Sequence, residues 1–146
     1  MAIILIIVIF FVADRLLKYW VVMQNSPKSL LGQIFLFNFT KNYNISFSLP
    51  FSGPILNILI IAIILVLILV IYKLILKEKR LSLMSSLLTF ILFGAISNMV
   101  DRLMYGYVID YLELKYFTVF NLADAMISLG VLILIFKLLK SDKYVK

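Results

Sequence analysis

The chain has 146 residues, of which 64% are hydrophobic and 14% charged, with a formal net charge of +7 and neither Cys nor His. A soluble domain carries about a quarter charged residues and cannot hide so much apolar surface at this length, so the composition excludes an ordinary soluble fold and predicts a single membrane domain. Without Cys or His there are no disulfides, thiol nucleophiles, serine–histidine pairs or usual zinc ligands. Any acid–base chemistry must therefore use Asp, Glu, Lys or Tyr.

Four apolar segments are long enough to cross a bilayer, which takes about 20 residues. They predict an all-α membrane protein with four transmembrane helices. A cleavable signal peptide is the less favoured interpretation of the first segment, which lacks a basic start and a small-residue cleavage site. The predicted helices are 1–23, 53–76, 81–100 and 119–139, the outer loops 24–52 and 101–118, the hinge 77–80 and the tail 140–146.

Eight of the fourteen basic residues lie in two groups that flank apolar segments. Cytoplasmic loops of membrane proteins carry such an excess of Lys and Arg, so we expect the hinge, the tail and both termini to be cytoplasmic. This distribution disfavours a nucleic-acid-binding patch, and no nucleic-acid partner is expected. The two groups are Lys73, Lys77, Lys79 and Arg80, then Lys137, Lys140, Lys143 and Lys146.

The first outer loop is rich in aromatic residues over 34–49 and alternates around Asn42-Tyr43-Asn44. This pattern predicts a small sheet on the membrane surface, with a turn at Tyr43 between two short strands. The preceding residues 25–33 are predicted as a short interfacial helix. Two interpretations of the aromatic side chains stay open, a clamp over a bound peptide and simple interfacial anchoring. These side chains are Phe35, Phe37, Phe39 and Tyr43.

Five of the seven acidic residues map to the outer side or to the outer ends of helices: Asp14, Asp101, Asp110, Glu113 and Asp124. At 1.5 Å per residue, Asp14 and Asp124 each lie ~20 Å from the cytoplasmic end of their helix. A carboxylate within a spanning segment is costly, so it usually faces the interior of the bundle and marks a paired or functional site.

Asp14 and Asp124 differ in their neighbours along the helix. Lys18 is four residues after Asp14 on the same helix face, so Asp14 is either an ion-pair partner or a substrate-binding group. Asp124 has no basic residue at helical spacing, and Asn121 precedes it by three residues. Burial should raise its affinity for a proton, as expected of either a structural carboxyl or a catalytic acid.

Asp110 lies in the apolar stretch 108–112 of the second outer loop. This loop is short enough to bring Asp110 back over the fourth helix, close to Asp124, although an exposed loop acid is the simpler alternative. Two carboxyls in a partly desolvated site share a proton. One then activates water while the other polarises a scissile carbonyl, which is hydrolytic chemistry open to a chain without His or Cys.

Three other functions compete with an aspartic peptidase. A small transporter would use Asp14 and Asp124 as a proton relay. A non-enzymatic membrane scaffold would need neither aspartate. A Ser–Lys peptidase would pair Lys18 or Lys41 with a serine, either Ser46 or Ser48.

Four blocks of residues, in order, resemble the lipoprotein signal peptidases, the type II signal peptidases of bacteria. The resemblance extends over almost the whole chain. The blocks are Asp14-Arg-Leu-Leu-Lys18, Asn42-Tyr-Asn44-Ile-Ser46-Phe47, Gly94-Ala-Ile-Ser97-Asn98-Met-Val-Asp101-Arg102 followed by Val108-Ile-Asp110-Tyr, and Phe120-Asn121-Leu-Ala123-Asp124-Ala-Met-Ile127.

The resemblance implies that Asp110 and Asp124 form the catalytic pair of a membrane aspartic endopeptidase. It implies diacylglyceryl-modified prolipoproteins as substrates, cleavage just before the lipidated lipobox Cys, membrane lipids as surroundings, inhibition by globomycin-type peptides, and no metal or cofactor. It also implies a multi-pass protein of the bacterial inner membrane with its active site near the outer face. The implied supporting residues are Asp14, Lys18, Asn42, Asn98, Arg102 and Asn121.

Two residues depart from the family pattern, Asn44 and Ser97, each in place of a glycine. Asn tolerates the left-handed conformation better than most residues, and Ser is small enough for close helix approach. We therefore expect the turn and the helix contact to persist. For Arg102 two roles stay open, holding backbone carbonyls or pairing with Asp101.

Overall fold

The computed structural model describes residues 2–24, 26–45 and 49–142. This part of the chain is mostly helical, with short antiparallel strands inserted between the helices. The helices are α1 (Ala2–Val22), α2 (Pro54–Glu78), α3 (Leu83–Tyr105) and α4 (Leu122–Asp142). The strands are β1 (Lys28–Leu31), β2 (Phe35–Asn42), β3 (Asn44–Ile45), β4 (Leu49–Ser52), β5 (Val108–Leu114) and β6 (Thr118–Phe120).

Among the described residues, three helices are long and apolar enough to cross a membrane: α2, α3 and residues Leu122–Lys140 of α4. Most apolar side chains of α2 are exposed, as expected of a helix that faces lipid. Helix α1 is 21 residues long but carries Asp14, Arg15 and Lys18 within that length, which sets it apart from the other three. Three of the four predicted crossings are therefore supported, and the crossing of α1 stays a prediction.

Helix α3 continues to Tyr105, so Asp101 and Arg102 lie in its last turns and not in an outer loop as predicted. Charged residues there suggested a helix end, but both side chains are buried against other elements. The helix ends at Gly106, whose φ of 79° is left-handed and whose N–H donates to the Arg102 carbonyl oxygen. Glycine adopts this conformation without steric cost.

The four-stranded antiparallel sheet has the order β1-β2-β5-β6 and lies at the end of the helices where α1 ends and α4 begins. Strand β2 pairs with β5, so that Thr40 is opposite Asp110 and Asn42 is opposite Val108. The sheet therefore carries Asp110 on its second long strand and delivers the chain, through β6, directly into α4.

The predicted hairpin at Tyr43 is wrong in its pairing. Strands do flank Tyr43, but β2 pairs with β1 and β5, whereas β3 pairs with β4 in a separate two-stranded sheet. The reason is local, since the Asn42 side chain accepts the N–H of Asn44 at 2.9 Å. Such an Asx turn redirects the backbone and sends β3 away from β2.

The predicted interfacial helix over 25–33 is also wrong. Its described residues contain strand β1, in which Lys28 is opposite Phe37 of β2. Pro27 precedes the strand, and the residue before a proline is biased away from helical geometry. The edge of β2 meanwhile offers β1 hydrogen-bond partners that an isolated short helix would lack.

Helices α3 and α4 pack closely at two glycines. A Cβ atom built on Gly94 would lie 2.7 Å from the carbonyl oxygen of Ala123, and one built on Gly130 would lie 2.5 Å from Cγ1 of Ile91. Small residues allow helix backbones to approach closely in membranes. This contact sets the height of α4, and hence of Asp124, against α3.

We expect Gly94→Ala to lower the free energy of unfolding by about 1–3 kcal/mol, the usual cost of overpacking, even though Ala is otherwise the better helix former. The obstacle at Gly94 is a backbone carbonyl, which can yield only if α4 moves. Gly130→Ala should cost less because the Ile91 side chain can rotate. Unfolding midpoints of both variants in detergent test this order, and equal or raised midpoints would contradict it.

Candidate active site

A buried group of charges joins α1 to α3 beneath the sheet. The Lys18 ammonium lies 3.1 Å from Asp14 Oδ2 and 2.8 Å from Asp101 Oδ2, and Arg15 pairs with Asp101 Oδ1. The side chains of Asp14, Lys18 and Asp101 are at most 1% exposed. Two cations thus balance two anions, which is the condition for burying charges inside a membrane protein.

These contacts bear on two alternatives. Asp14 and Lys18 form the ion pair that their spacing suggested. Of the two roles left open for Arg102, pairing with Asp101 is not the one observed, because Asp101 instead binds Arg15 and Lys18 and also accepts the N–H of Ile109 at 3.2 Å. Asp101 therefore fixes the start of β5 against α1 and α3.

Asp14 connects more elements than its lysine alone suggests. Its carboxylate accepts hydrogen bonds from Ser97 Oγ at 2.6 Å, Tyr111 Oη at 2.9 Å and the N–H of Ala123 at 3.1 Å. The Tyr111 oxygen in turn accepts the N–H of Leu122 at 3.0 Å. Asp14 consequently holds the first turn of α4 in place. Burial raises the pKa of Tyr111, and the nearby Asp14 carboxylate raises it further.

Asp110 projects from β5 into a set of amide groups. Asn42 Nδ2 donates to Asp110 Oδ2 at 2.9 Å, and Asn121 Nδ2 donates to Oδ1 at 2.6 Å. Asp110 is 1% exposed. Burial, reinforced by the charge of Asp124, raises the pKa of Asp110 to about 7, against the opposing effect of the two amides and Lys18.

Asp124 lies in the first turn of α4, and Asn121 is the residue that caps this helix. Asn121 Oδ1 accepts the N–H of Asp124 at 2.8 Å, the usual N-cap arrangement. Asn98 Nδ2 donates to Asp124 Oδ1 at 2.7 Å. Because Asn121 also donates to Asp110, this one side chain links the Asp110 carboxyl on β5 to the backbone of Asp124 on α4.

Three asparagines present their N–H groups to the two carboxyls, and each is oriented by a donor on its other side. Lys18 donates to Asn98 Oδ1 at 2.8 Å, the N–H of Asn44 to Asn42 Oδ1, and the N–H of Asp124 to Asn121 Oδ1. An ammonium or a backbone N–H can only donate, so each amide must turn its NH₂ towards Asp110 or Asp124. The site is thus preorganised for negative charge on the pair.

Arg102 lies beside the pair, 8% exposed. Its Nη2 donates to the carbonyl oxygen of Asn44 at 2.8 Å, so of its two expected roles the structure supports the holding of a backbone carbonyl. This contact anchors the turn after β2 to α3. Ser46 and Phe47 of the same motif lie outside the described residues.

Two apolar crevices, each of about 160 Å³, approach the pair from different sides. One runs between α2, α3 and α4 and ends at Asn98 and Arg102. The other lies between the β5–β6 hairpin and α4 and is lined in part by Asp124, Phe117 and Ser128. One crevice therefore reaches Asp124 itself, and the other reaches Asn98, whose amide donates to Asp124.

The remaining candidates of the sequence analysis are placed as follows. Lys18 is held by two carboxylates, and the Lys41 ammonium lies 5.0 Å from the ring centre of Tyr107. Their candidate partners, Ser46 and Ser48, lie outside the described residues. Among residues 2–24, 26–45 and 49–142, no three acidic side chains converge as a divalent metal site would require.

Sequence reasoning missed three side chains of this region: Arg15, Ser97 and Tyr111. Ser97 and Tyr111 contact Asp14, and Arg15 contacts Asp101. A signal for Arg15 and Ser97 was available in the sequence: Ser97 and Asp101 are one helical turn apart on α3, and they face a charged turn of α1. Tyr111 had no such signal, because its partner is 97 residues away in the sequence.

A family model described as signal peptidase (SPase) II matches residues 6–140. The chain belongs to the signal peptidase II family. A lipoprotein signal peptidase of Shewanella baltica is 30% identical over 144 residues, which cover 93% of this chain and 84% of that protein. One from Moorella thermoacetica is 52% identical over 52 residues, a segment that spans 35% of that relative.

Two solved structures of bacterial membrane enzymes share this fold. One aligns with a TM-score of 0.83 at 22% identity, over 99% of this chain and 92% of the other. The second aligns with a TM-score of 0.76 over 95% and 93%. Membership of this family, together with the apolar helices, supports an integral bacterial membrane protein and the removal of signal peptides from prolipoproteins as its activity.

Proposed function

We propose that this chain is an aspartic endopeptidase that removes the signal peptide from diacylglyceryl-modified prolipoproteins, cutting just before the lipidated Cys. The observation that supports this most is the pair of buried carboxyls, Asp110 and Asp124, held by three oriented amides at the end of two apolar crevices. The other two buried aspartates in the described residues, Asp14 and Asp101, form ion pairs with Lys18 and Arg15 and connect α1 to α3.

In the proposed reaction the two carboxyls begin with one shared proton. The ionised carboxylate removes a proton from water, whose oxygen attacks the scissile carbonyl carbon, while the protonated carboxyl gives its proton to the carbonyl oxygen. The tetrahedral intermediate then collapses and the C–N bond breaks. The carboxyl that took the proton from water gives it to the leaving nitrogen of the lipidated Cys, and the other carboxylate takes a proton back from a hydroxyl of the intermediate. Arg102 balances the single negative charge that remains on the pair.

The two crevices suit a substrate with two apolar parts. We propose that the signal helix enters sideways from lipid and that the acyl chains stay in the leaflet next to the sheet. The basic hinge and tail favour cytoplasmic termini, which puts the pair near the outer face. Globomycin-type peptides would compete with the substrate for this site. The residues proposed to support the carboxyl pair and the bound substrate are Asp14, Lys18, Asn42, Asn98, Arg102 and Asn121.

The peptidase should release a free carboxylic acid with no covalent enzyme intermediate. A Ser–Lys peptidase forms an acyl-enzyme instead, and hydroxylamine in the assay would convert this ester to a hydroxamate. The signal peptide released in the presence of hydroxylamine is therefore expected to have the mass of the free acid alone. A hydroxamate product would contradict the aspartic mechanism and move the serine alternative forward.

Activity should fall as the pH rises through about 7, where Asp110 loses its proton and both carboxyls become ionised, since the reaction needs one of them protonated.

The raised pKa of Asp110 also makes the free energy of unfolding depend on pH. The protonated form is favoured in the folded state, so its contribution to stability is full below the unfolded value near 3.8 and is lost as pH rises through about 7.

Profiles of kcat/KM against pH measure the first effect, and the pH dependence of the unfolding midpoint measures the second. In Asp110→Asn the stability of the protein should vary less between pH 4 and 7 than in wild type. A wild-type rate that keeps rising from pH 7 to 9 would contradict the shared proton.

A further inference from the structure

A buried amide just after the end of α1 has no hydrogen-bond partner. Both polar atoms of the Gln24 side chain, Nε2 and Oε1, are shielded from solvent and lack a partner among the described residues. Gln24 is the one side chain of residues 2–24, 26–45 and 49–142 in this condition. Leaving a buried polar group unpaired costs free energy, so a native protein that keeps one needs a reason for it.

Gln24 lines a cavity of about 180 Å³ between the end of α1 and strand β2. Phe37 and Phe39 of β2 supply aromatic walls, and the exposed residues Ser26 and Pro27 line the cavity on the loop that enters β1. The Gln24 side chain has several rotatable bonds, so a rotation turns its amide into this space. The cavity has room for one amino-acid residue.

The cavity lies at an edge of β2 that no strand of the described ranges covers. Strand β1 pairs with β2 only as far as Phe37, which is opposite Lys28, whereas β2 continues to Asn42. The register of β2 against β5 also shifts between Phe37 and Thr40, and such a bulge bends a strand. An unpaired strand edge accepts an extended peptide through backbone hydrogen bonds.

The same stretch of β2 leads from the cavity to the carboxyl pair. Thr40 is opposite Asp110 of β5, and Asn42 donates to the Asp110 carboxyl. At 3.3 Å per residue, Asn38 and Asn42 are ~13 Å apart along the strand. A peptide that lies along β2 therefore passes from Asp110 to the cavity within about four residues.

A primary amide suits the backbone of an extended peptide. It presents an acceptor and a donor side by side, and the N–H and C=O of one residue in a strand point to the same side. We infer that Gln24 binds the backbone of the precursor at one residue, a few positions after the lipidated Cys, and that the cavity receives the side chain of this residue. The inference rests on the proposed function, in which the two apolar crevices take the signal helix and the acyl chains and leave β2 to the polar mature chain.

Precursors methylated at one backbone nitrogen test this contact, because each methyl group removes a single N–H. In a series methylated at successive residues after the lipidated Cys, one position should lower kcat/KM of the wild-type protein about tenfold, the scale of a hydrogen bond lost from a partner that stays buried. At that position Gln24→Met should cut the methylated and the unmodified precursor at equal rates. A methylation effect of the same size in Gln24→Met and wild type would overturn the inference.

Stability separates a binding role from a structural one. Gln24→Met keeps the length of the side chain and removes the unpaired amide, so its unfolding midpoint in detergent should equal or exceed that of wild type. Gln33→Met, at the second glutamine of the chain and exposed, is the matched control and should change neither the midpoint nor kcat/KM. A lowered midpoint in Gln24→Met with unchanged kinetics would assign the amide a structural role and overturn the inference.

Two other results distinguish the inference from its alternatives. An equal loss of rate in Gln24→Met on every precursor, methylated or not, would indicate a lipid headgroup at Gln24 and overturn the inference. If wild type cuts no precursor, the proposed function fails and binding decides. A peptide of diacylglyceryl-Cys followed by mature residues should then bind wild type about tenfold more tightly than Gln24→Met, and equal affinities would overturn the inference.

Discussion

Asp110→Asn and Asp124→Asn should each lower the rate of prolipoprotein cleavage by about 10²–10⁴-fold, the range that positioned acid–base groups contribute. Asn has nearly the size of Asp but cannot share or transfer the proton. In wild type Asn42 and Asn121 donate to Oδ2 and Oδ1 of Asp110. In Asp110→Asn the NH₂ group of the new amide would face one of these donors, and two N–H groups cannot bond to each other. The initial rate with purified variants in vesicles measures the loss.

Glu113→Gln is the matched control, because Glu113 lies on the same strand, three residues after Asp110, with its carboxylate bonded to Asn38. This variant should keep a rate within about threefold of wild type. Near-normal activity in either Asp→Asn variant, with thermal unfolding unchanged, would contradict the assignment of the pair. Equal losses in all three variants would point to a general effect of removing charge near the sheet.

The second large effect is expected at Lys18, whose ammonium is the shared partner of Asp14 and Asp101. Lys18→Met keeps the length of the side chain but leaves two buried carboxylates facing the single cation of Arg15. Breaking a buried ion pair by removing one partner costs about 3–5 kcal/mol. We expect a loss of this size in the free energy of unfolding, measured by denaturation in mixed micelles.

Lys18→Met should also reduce activity, because Lys18 orients the Asn98 amide that donates to Asp124. Lys28→Met, which removes an exposed ammonium, is the control and should change the stability by less than about 1 kcal/mol. Combining Lys18→Met with Asp14→Asn removes one charge of each sign and should recover part of the lost stability. If the double variant is no more stable than Lys18→Met, the pair does not carry the effect.

The sequence predicted three of the apolar helices and the inward-facing positions of Asp14 and Asp124, because both depend on simple energetic costs. Lipid imposes the length of α2, α3 and α4, and the cost of a charge in a helix singles out Asp14 and Asp124. The i, i+4 spacing was enough to find the pair of Asp14 and Lys18. Local alternation also found strand character around Asn42.

Strand pairing was not predictable in the same way, because it depends on contacts distant in the sequence. Strand β2 pairs with β5, and the contact between Asn42 and Asp110 joins residues 68 positions apart. No residue near Tyr43 indicates this pairing. The partner of Asp101 was missed for the same reason, since Arg15 is 86 residues from it while Arg102 is adjacent. Adjacent residues on a helix do not face each other, and this rule already disfavoured the pairing with Arg102.

The orientation of the three amides is the feature furthest from sequence reasoning. A motif can show that asparagines cluster near two aspartates, but which end of each amide faces the acids depends on the donor behind it. That donor is a lysine for Asn98 and a backbone N–H for Asn42 and Asn121. Only the assembled fold brings these donors together.

The central claim is tested most directly by mass spectrometry of the products from two matched precursors, one with a diacylglyceryl-modified lipobox Cys and one with the same Cys unmodified. We predict that the wild-type protein in vesicles cuts the modified precursor before the lipidated Cys and leaves the unmodified one intact, and that the variant with both Asp110→Asn and Asp124→Asn cuts neither. Cleavage of the modified precursor by that folded double variant, or at another peptide bond, would contradict the account.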